Sequence, residues 1–313
     1  MAGLYFVYTM ERIRNYYYNK LSHDYKIIVK TLYKQLLQYN NIIEVKGAYS
    51  DLYSVFECLK YTFPELFYVD FYNIEYKIYL NKTKIKFKFL YSKDEIDLCN
   101  KKINNIISRI DINESESKIV SRIFNTIISH VTYDSKDLMD AKTSNHDIYG
   151  AIMYRESVCE GMSLLFLHIC NKIGIDCTVV TGDTSGPHMW NIVRIDGVLV
   201  NLDIVMGLSC LKNGIKYGGF NLPNNLMKGY KFDNQIICDS LVHNPYYYND
   251  MYYENLGDLT NKIKYFLNKM DRVVLMYIGQ DLLTIDDIVN GLGKFDYNIN
   301  FTLYDIYLII EKN

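Results

Sequence analysis

The chain has 313 residues, 49% of them hydrophobic and 22% charged, with 34 basic against 36 acidic side chains and a net charge of −2. That length holds one large domain or two to three small ones and buries a core without disulfides or a structural metal, and the composition excludes wholesale disorder. A near-neutral balance with no basic run or acidic tail argues against a nucleic-acid partner, and seven cysteines without paired spacing suit a reducing compartment.

The apolar stretch Gly3 to Met10 is short, lacks a basic start and runs into Glu11 and Arg12, so it does not read as a signal peptide. No apolar run approaches the length of a membrane span. The expected location is cytoplasmic, with no membrane partner. The 31 tyrosines read as compositional bias rather than as a binding surface.

Residues 22 to 40 carry Ile27, Ile28, Leu32, Leu36 and Leu37 at helical spacing, and a second helix is predicted from Asp51 to Tyr61, stopping near Pro64. Aromatic and β-branched alternation from Phe67 to Tyr91, split at Asn81-Lys82, predicts a hairpin. Ser92-Lys-Asp-Glu95 is a capping box that opens a helix to about Ile110. Polar residues 111 to 117 mark a boundary, followed by a helix through Ile119, Ile123, Ile127 and Ile128 and a loop-like stretch from 134 to 150. Beyond residue 208 the chain is rich in Gly, Asn and Tyr, and 258 to 313 reads helix, strand (Val273 to Ile278), helix, strand (Asn298 to Ile310). The predicted organisation is an amino-terminal α+β region (1–110), a core (111–235) and a βαβ-like region (236–313).

The core carries the chemistry. Cys159 opens a helix whose stripe is Met162, Leu165, Phe166, Ile169 and Ile173, with Gly174 as its natural terminator. A first-turn cysteine sits at the positive end of the helix dipole, which favours thiolate, among N–H groups able to stabilise an oxyanion. Taken alone, a helix-start Cys is more often a small buried hydrophobe. A strand from Ile175 to Thr181 follows, then a loop from Gly182 to Pro187. Two β-rich runs, His188 to Ile195 and Val198 to Asp203, are joined by Asp196-Gly197, a hairpin turn signal. Pairing outward from Ile195 opposite Val198 sets Trp190 against Asp203 and His188 against Val205. His188 and Asp203 then become diagonal neighbours on one face, roughly 7–8 Å apart at the backbone. A carboxylate on one ring nitrogen fixes the tautomer and frees the other to take a thiol proton.

Ser157-Val-Cys159-Glu-Gly161, Gly174-Ile175, Val180-Thr-Gly182, His188-Met-Trp190-Asn191 and Leu202-Asp203 closely resemble the core of the transglutaminase-like superfamily. Asp147-Ile-Tyr-Gly150 and Tyr217-Gly-Gly-Phe220 are similar to segments of its bacterial members, and the likeness covers about residues 110 to 235. The resemblance implies a papain-like α+β fold with Cys159, His188 and Asp203 as catalytic triad and no cofactor. It implies thiol-dependent acyl transfer at a peptide or protein carboxamide, by peptidase, amidase or transglutaminase. Glu160, Gly161 and Trp190 are expected to bind substrate, Gly161 by leaving room for its backbone. Met162, Leu199-Val200 and Ile204-Val205 stand where many bacterial members carry aromatic residues, so the cleft wall differs and no substrate transfers with the motif. The altered wall also motivates an alternative, a non-catalytic peptide-binding or scaffolding module.

Other candidates are weaker. Cys170, Cys177 and His168 lack four-ligand metal spacing, so no metal is expected and core packing is the better reading. Tyr217-Gly-Gly-Phe220 lacks the strand, helix and Lys of a phosphate loop.

Overall fold

A computed structural model describes residues 12–134, 143–279, 282–293 and 299–312. The apolar run at 3–10, residues 135–142 of the loop-like stretch and the start of the last predicted strand at Asn298 lie outside the described residues. The fold is α+β.

The amino-terminal part comprises α1 (Tyr16–Lys20), α2 (His23–Leu36), β1 (Ile42–Lys46), α3 (Tyr53–Thr62), β2 (Glu75–Ile78), β3 (Lys82–Lys86) and α4 (Lys93–Ile107). Helix α2 starts where the Ser22 hydroxyl accepts the Tyr25 N–H, and it buries Ile28, Val29, Leu32 and Leu36 as one stripe. The Ser92–Glu95 capping box of α4 is formed in both directions. β2 and β3 make the expected hairpin, but only from Glu75 onward. β1 extends it to the order β1-β3-β2, burying Ile43 and Val45 in strict alternation, a strand that sequence reading passed over.

The central part comprises α5 (Glu116–His130), β4 (Thr132–Tyr133), β5 (Glu156–Ser157), α6 (Cys159–Ile173), β6 (Cys177–Asp183), β7 (Pro187–Ile195), β8 (Val198–Leu202), α7 (Ile204–Lys212), β9 (Phe220–Leu222) and β10 (Lys231–Phe232). Its antiparallel sheet has the order β10-β6-β7-β8-β9. Helix α6 is buried from Cys159 to Cys170 and ends at Gly174, whose φ of 89° supplies the left-handed terminator. Asp196 (φ 49°) and Gly197 (φ 85°) form the turn with two left-handed residues that a tight hairpin requires. The predicted pairing holds from Ile195–Val198 to Asn191–Leu202.

The ladder stops there, and this corrects the prediction. Asp203 is not a strand residue opposite Trp190; it caps α7, its side chain accepting the Met206 N–H at 3.0 Å, and Val205 lies in the helix. Asp is a preferred N-cap, and that local demand ended the strand.

The last part comprises α8 (Pro245–Tyr248), β11 (Tyr252–Tyr253), α9 (Leu256–Leu267), β12 (Arg272–Tyr277), α10 (Ile285–Leu292), β13 (Ile299–Tyr304) and β14 (Tyr307–Lys312), in a sheet ordered β11-β12-β14-β13. β11, α9 and β12 form a parallel crossover. The single strand predicted to Ile310 is two strands folded back at Asp305 (φ 54°). Asp tolerates the left-handed region without the glycine that would have advertised the turn.

One apolar cluster runs unbroken from Tyr17 through α2, α3, α4, α5 and α6 to Phe220, so the amino-terminal helices share a core with the Cys159 helix. Among the described residues, no helix is long and apolar enough to cross a membrane.

Candidate active site

Cys159 is the first residue of α6 and is 7% exposed. The start of α6 is pinned on several sides. β4 and β5 pair in parallel, with Tyr133 opposite Ser157, and the carbonyl of Asn145 accepts the Val158 N–H (3.0 Å) and the Ser157 hydroxyl (2.8 Å). Gly161 serves this packing. A Cβ there would stand 2.3 Å from Ser157 Oγ and 2.7 Å from the Asp147 carbonyl oxygen, so the space beside it is filled by the chain itself and not left open for a substrate backbone.

The helix and β7 are stitched together by polar side chains. The Ser163 hydroxyl donates to the Met189 carbonyl (3.2 Å), and the Asn191 amide donates to the Ser163 carbonyl (3.1 Å). These bonds flank Trp190 and lie one to three residues from His188, so they fix the strand's position along the helix that carries Cys159.

His188 Nε2 lies 2.7 Å from Asp203 Oδ2. Its ring stacks on Trp190 (centroids 5.9 Å apart, planes at 22°) and meets Tyr230 edge-on. With Nε2 committed to the carboxylate, Nδ1 is the nitrogen left for the sulfur. Burial disfavours the charged ring, but the charge and hydrogen bond of Asp203, joined by those of Cys159, outweigh it and push the His188 pKa up to about 10. Asp203 is buried, which alone would raise its pKa; His188, the Tyr230 hydroxyl (2.6 Å) and the Met206 N–H hold it below the usual carboxylate range. The Asp203 N–H donates to the Gly219 carbonyl (2.8 Å), and a Cβ on Gly219 would stand 2.4 Å from the Asp203 carbonyl oxygen. The Gly-Gly of Tyr217–Phe220 is therefore a seat for Asp203.

Trp190 is fully buried, its indole N–H donating to Asn201 Oδ1 (3.2 Å), so it backs the imidazole and offers no surface to a ligand. Glu160 is also buried. Its carboxylate receives the Tyr72 hydroxyl, Lys60 Nζ at 2.5 Å and His146 Nδ1 at 3.1 Å. Burial opposes its charge, yet His146, Lys60 and Tyr72 together bring its pKa down to about 2. Lys60, Tyr72 and His146 escaped sequence reading, because nothing local ties residues so far apart in the chain to Glu160. Tyr133, opposite Ser157 on β4, has a half-buried phenol whose pKa is raised first by burial and then by the charges of Cys159 and Asp203. Tyr230 carried no signal among so many tyrosines.

His168 is a buried core residue whose pKa burial lowers to about 3, and Cys170 and Cys177 are buried free thiols on α6 and β6. Among the described residues, no group of three or more His, Cys, Asp or Glu side chains is arranged to hold a metal ion.

Residues 105–204 match the model of the transglutaminase-like superfamily. Among solved structures the chain is similar to one described as a TGase, at 15% identity over 56% of this chain and 47% of that one, with a TM-score of 0.33. It is also similar to a protein of Cytophaga hutchinsonii provisionally named a cysteine protease, at 15% identity over 51% and 65% of the two chains and a TM-score of 0.31. A third is menin, in a structure that reveals the binding site for the Mixed Lineage Leukemia protein, at 12% identity over 36% and 26% and a TM-score of 0.28. The chain thus spans about half of the first of these and less than two thirds of the second. No curated protein matches it. None of these likenesses bears on activity, which rests on the side chains.

Proposed function

We propose that this chain, which over residues 105–204 belongs to the transglutaminase-like superfamily, is an acyl-transfer enzyme that attacks a peptide or protein carboxamide through a Cys159 thioester. The observation that carries the reading is the His188 ring, bonded through Nε2 at 2.7 Å to buried Asp203, which leaves Nδ1 for the thiol of Cys159 at the start of α6. A binding module has no need to hold an imidazole charged beside a thiol at the start of a helix.

The steps follow from the geometry. The Cys159 sulfur attacks the carboxamide carbon while His188 holds the proton; N–H groups of the first turn of α6, which lack helical partners, face the developing oxyanion. The C–N bond breaks, His188 protonates the departing ammonia or amine, and a thioester remains. Water or a second amine then adds to the thioester carbon and gives its proton to His188; the C–S bond breaks, the acid or new amide departs, and the thiolate is left beside the imidazolium as before attack. Asp203 stays ionised throughout and keeps the ring oriented. Hydrolysis of peptide or protein amides is the preferred outcome.

The test uses iodoacetamide on the folded protein, with labelled positions read by mass spectrometry. All seven cysteines are free, but Cys159 is 7% exposed against 0% for Cys58 and Cys99, so the dependence of its labelling on His188, and not its rank alone, tests the thiolate. Cys159 is expected to label first, and His188→Ala is expected to slow that labelling sharply while leaving the other cysteines at their wild-type rates. A Cys159 no faster than Cys58 or Cys99, or indifferent to His188, overturns the enzyme and leaves the scaffolding module.

A further inference from the structure

Resting on the acyl-transfer reading of Cys159, we infer that Tyr72 is the specificity-determining wall of its cleft, selecting an uncharged apolar or aromatic side chain next to the carboxamide that reacts. Tyr72 comes from the amino-terminal part of the chain, 87 residues before the nucleophile, yet its hydroxyl is bound to the carboxylate of Glu160, the residue that follows Cys159. The ring does not bury itself to reach there: Tyr72 is 58% exposed while Glu160 is 7% exposed. An aromatic ring held by its polar tip, with its body in solvent, offers a flat apolar surface at fixed position.

The two faces of the ring are not equivalent. Lys60 Nζ sits 3.8 Å from the ring centroid, and His146 meets the ring edge-on at 6.1 Å. Lys60 is itself fixed by Glu160 at 2.5 Å and is mostly buried. A cation on one face draws on the electron density that would attract a second cation to the other. The open face therefore disfavours Lys or Arg side chains and accepts neutral ones. Glu160 contributes no free charge, since three partners already use its oxygens.

The experiment compares labelling of Cys159 by two peptidyl chloromethyl ketones that differ only in carrying Phe or Lys beside the electrophile, with iodoacetamide as a reagent too small to reach the wall. Wild type is expected to prefer the Phe probe by roughly tenfold or more, the scale of discrimination a single apolar contact provides. Tyr72→Ala should bring the ratio near one, each probe's rate being divided by that variant's own iodoacetamide rate. Tyr72→Phe, which keeps the ring but cuts its tie to Glu160, should lower the ratio, and it keeps the idea testable should Tyr72→Ala not fold. An unchanged probe ratio in either folded variant overturns the inference and leaves the acyl-transfer reading standing. A Cys159 unreactive toward all three reagents overturns that reading first, and this one with it.

Discussion

Two buried carboxylates border Cys159, and they are used in opposite ways. Asp203 gives one oxygen to His188 Nε2 and Tyr230 and the other to a backbone N–H, so the ring's Nδ1 is not taken up by the carboxylate. Glu160 is surrounded by Lys60, Tyr72 and His146, and its cationic partner points at no nucleophile. In the proposed reaction the first arrangement holds the proton that leaves with the amine. The second ties the amino-terminal part of the chain to the start of α6. A buried ion pair is thus no sign of chemistry by itself; what matters is whether the partner has a second functional nitrogen and something to do with it.

The contrast breaks most sharply at Asp203. Replacing it by Asn keeps the shape but removes the charge that orients and charges the ring, and should cost about 10⁴-fold in Cys159-dependent amide turnover. Rates within about tenfold of wild type would make the carboxylate ornamental. Glu160→Gln should act on stability instead: it leaves the buried Lys60 without its counter-charge, a loss of about 3–5 kcal/mol, read as a lower midpoint in urea, while the folded protein keeps its Cys159 labelling. An unshifted midpoint would show that the tie is not structural.

The two acids also separate by pH. The His188 pKa is raised to about 10, so its contribution is fully present below the ordinary histidine value of about 6.5 and is lost as pH rises from there through 10. The Glu160 pKa is lowered to about 2, so its contribution is present above the ordinary Glu value of about 4.3 and is lost as pH falls through 2. His188→Gln should flatten the alkaline limb of the stability profile and Glu160→Gln the acid limb. Swapped or unaltered limbs would contradict the assignment. The smallest effect is expected for Tyr230→Phe, which removes one of three hydrogen bonds to Asp203 and should cost about 1.5 kcal/mol in chemical denaturation, with a modest loss of rate.

Much of the nucleophile side was legible in the residues. The stripe from Met162 to Ile173 and the terminator Gly174 give α6 from its own periodicity, and Asp196-Gly197 sets the β7–β8 register as far as Asn191–Leu202. Asp203 was legible as the partner of His188 but not as the cap of α7, because a strand end and a helix N-cap compete for the same residue and only the chain beyond it decides. Glu160 was legible as a neighbour of Cys159, whereas the buried tie it forms was not.

By itself, then, the sequence determined what short-range forces control: where α6 starts and stops, how β7 folds back on β8, and which thiol and imidazole lie on those elements. Turn chemistry and helical periodicity act over a few residues, so they are written locally. Only the tertiary structure decided that Asp203 reaches the ring from a helix start, that Gly219 seats it, and that Lys60, Tyr72 and His146 close on Glu160. Those contacts join residues up to 100 positions apart. They form only where burial makes an unpaired charge too costly to leave alone.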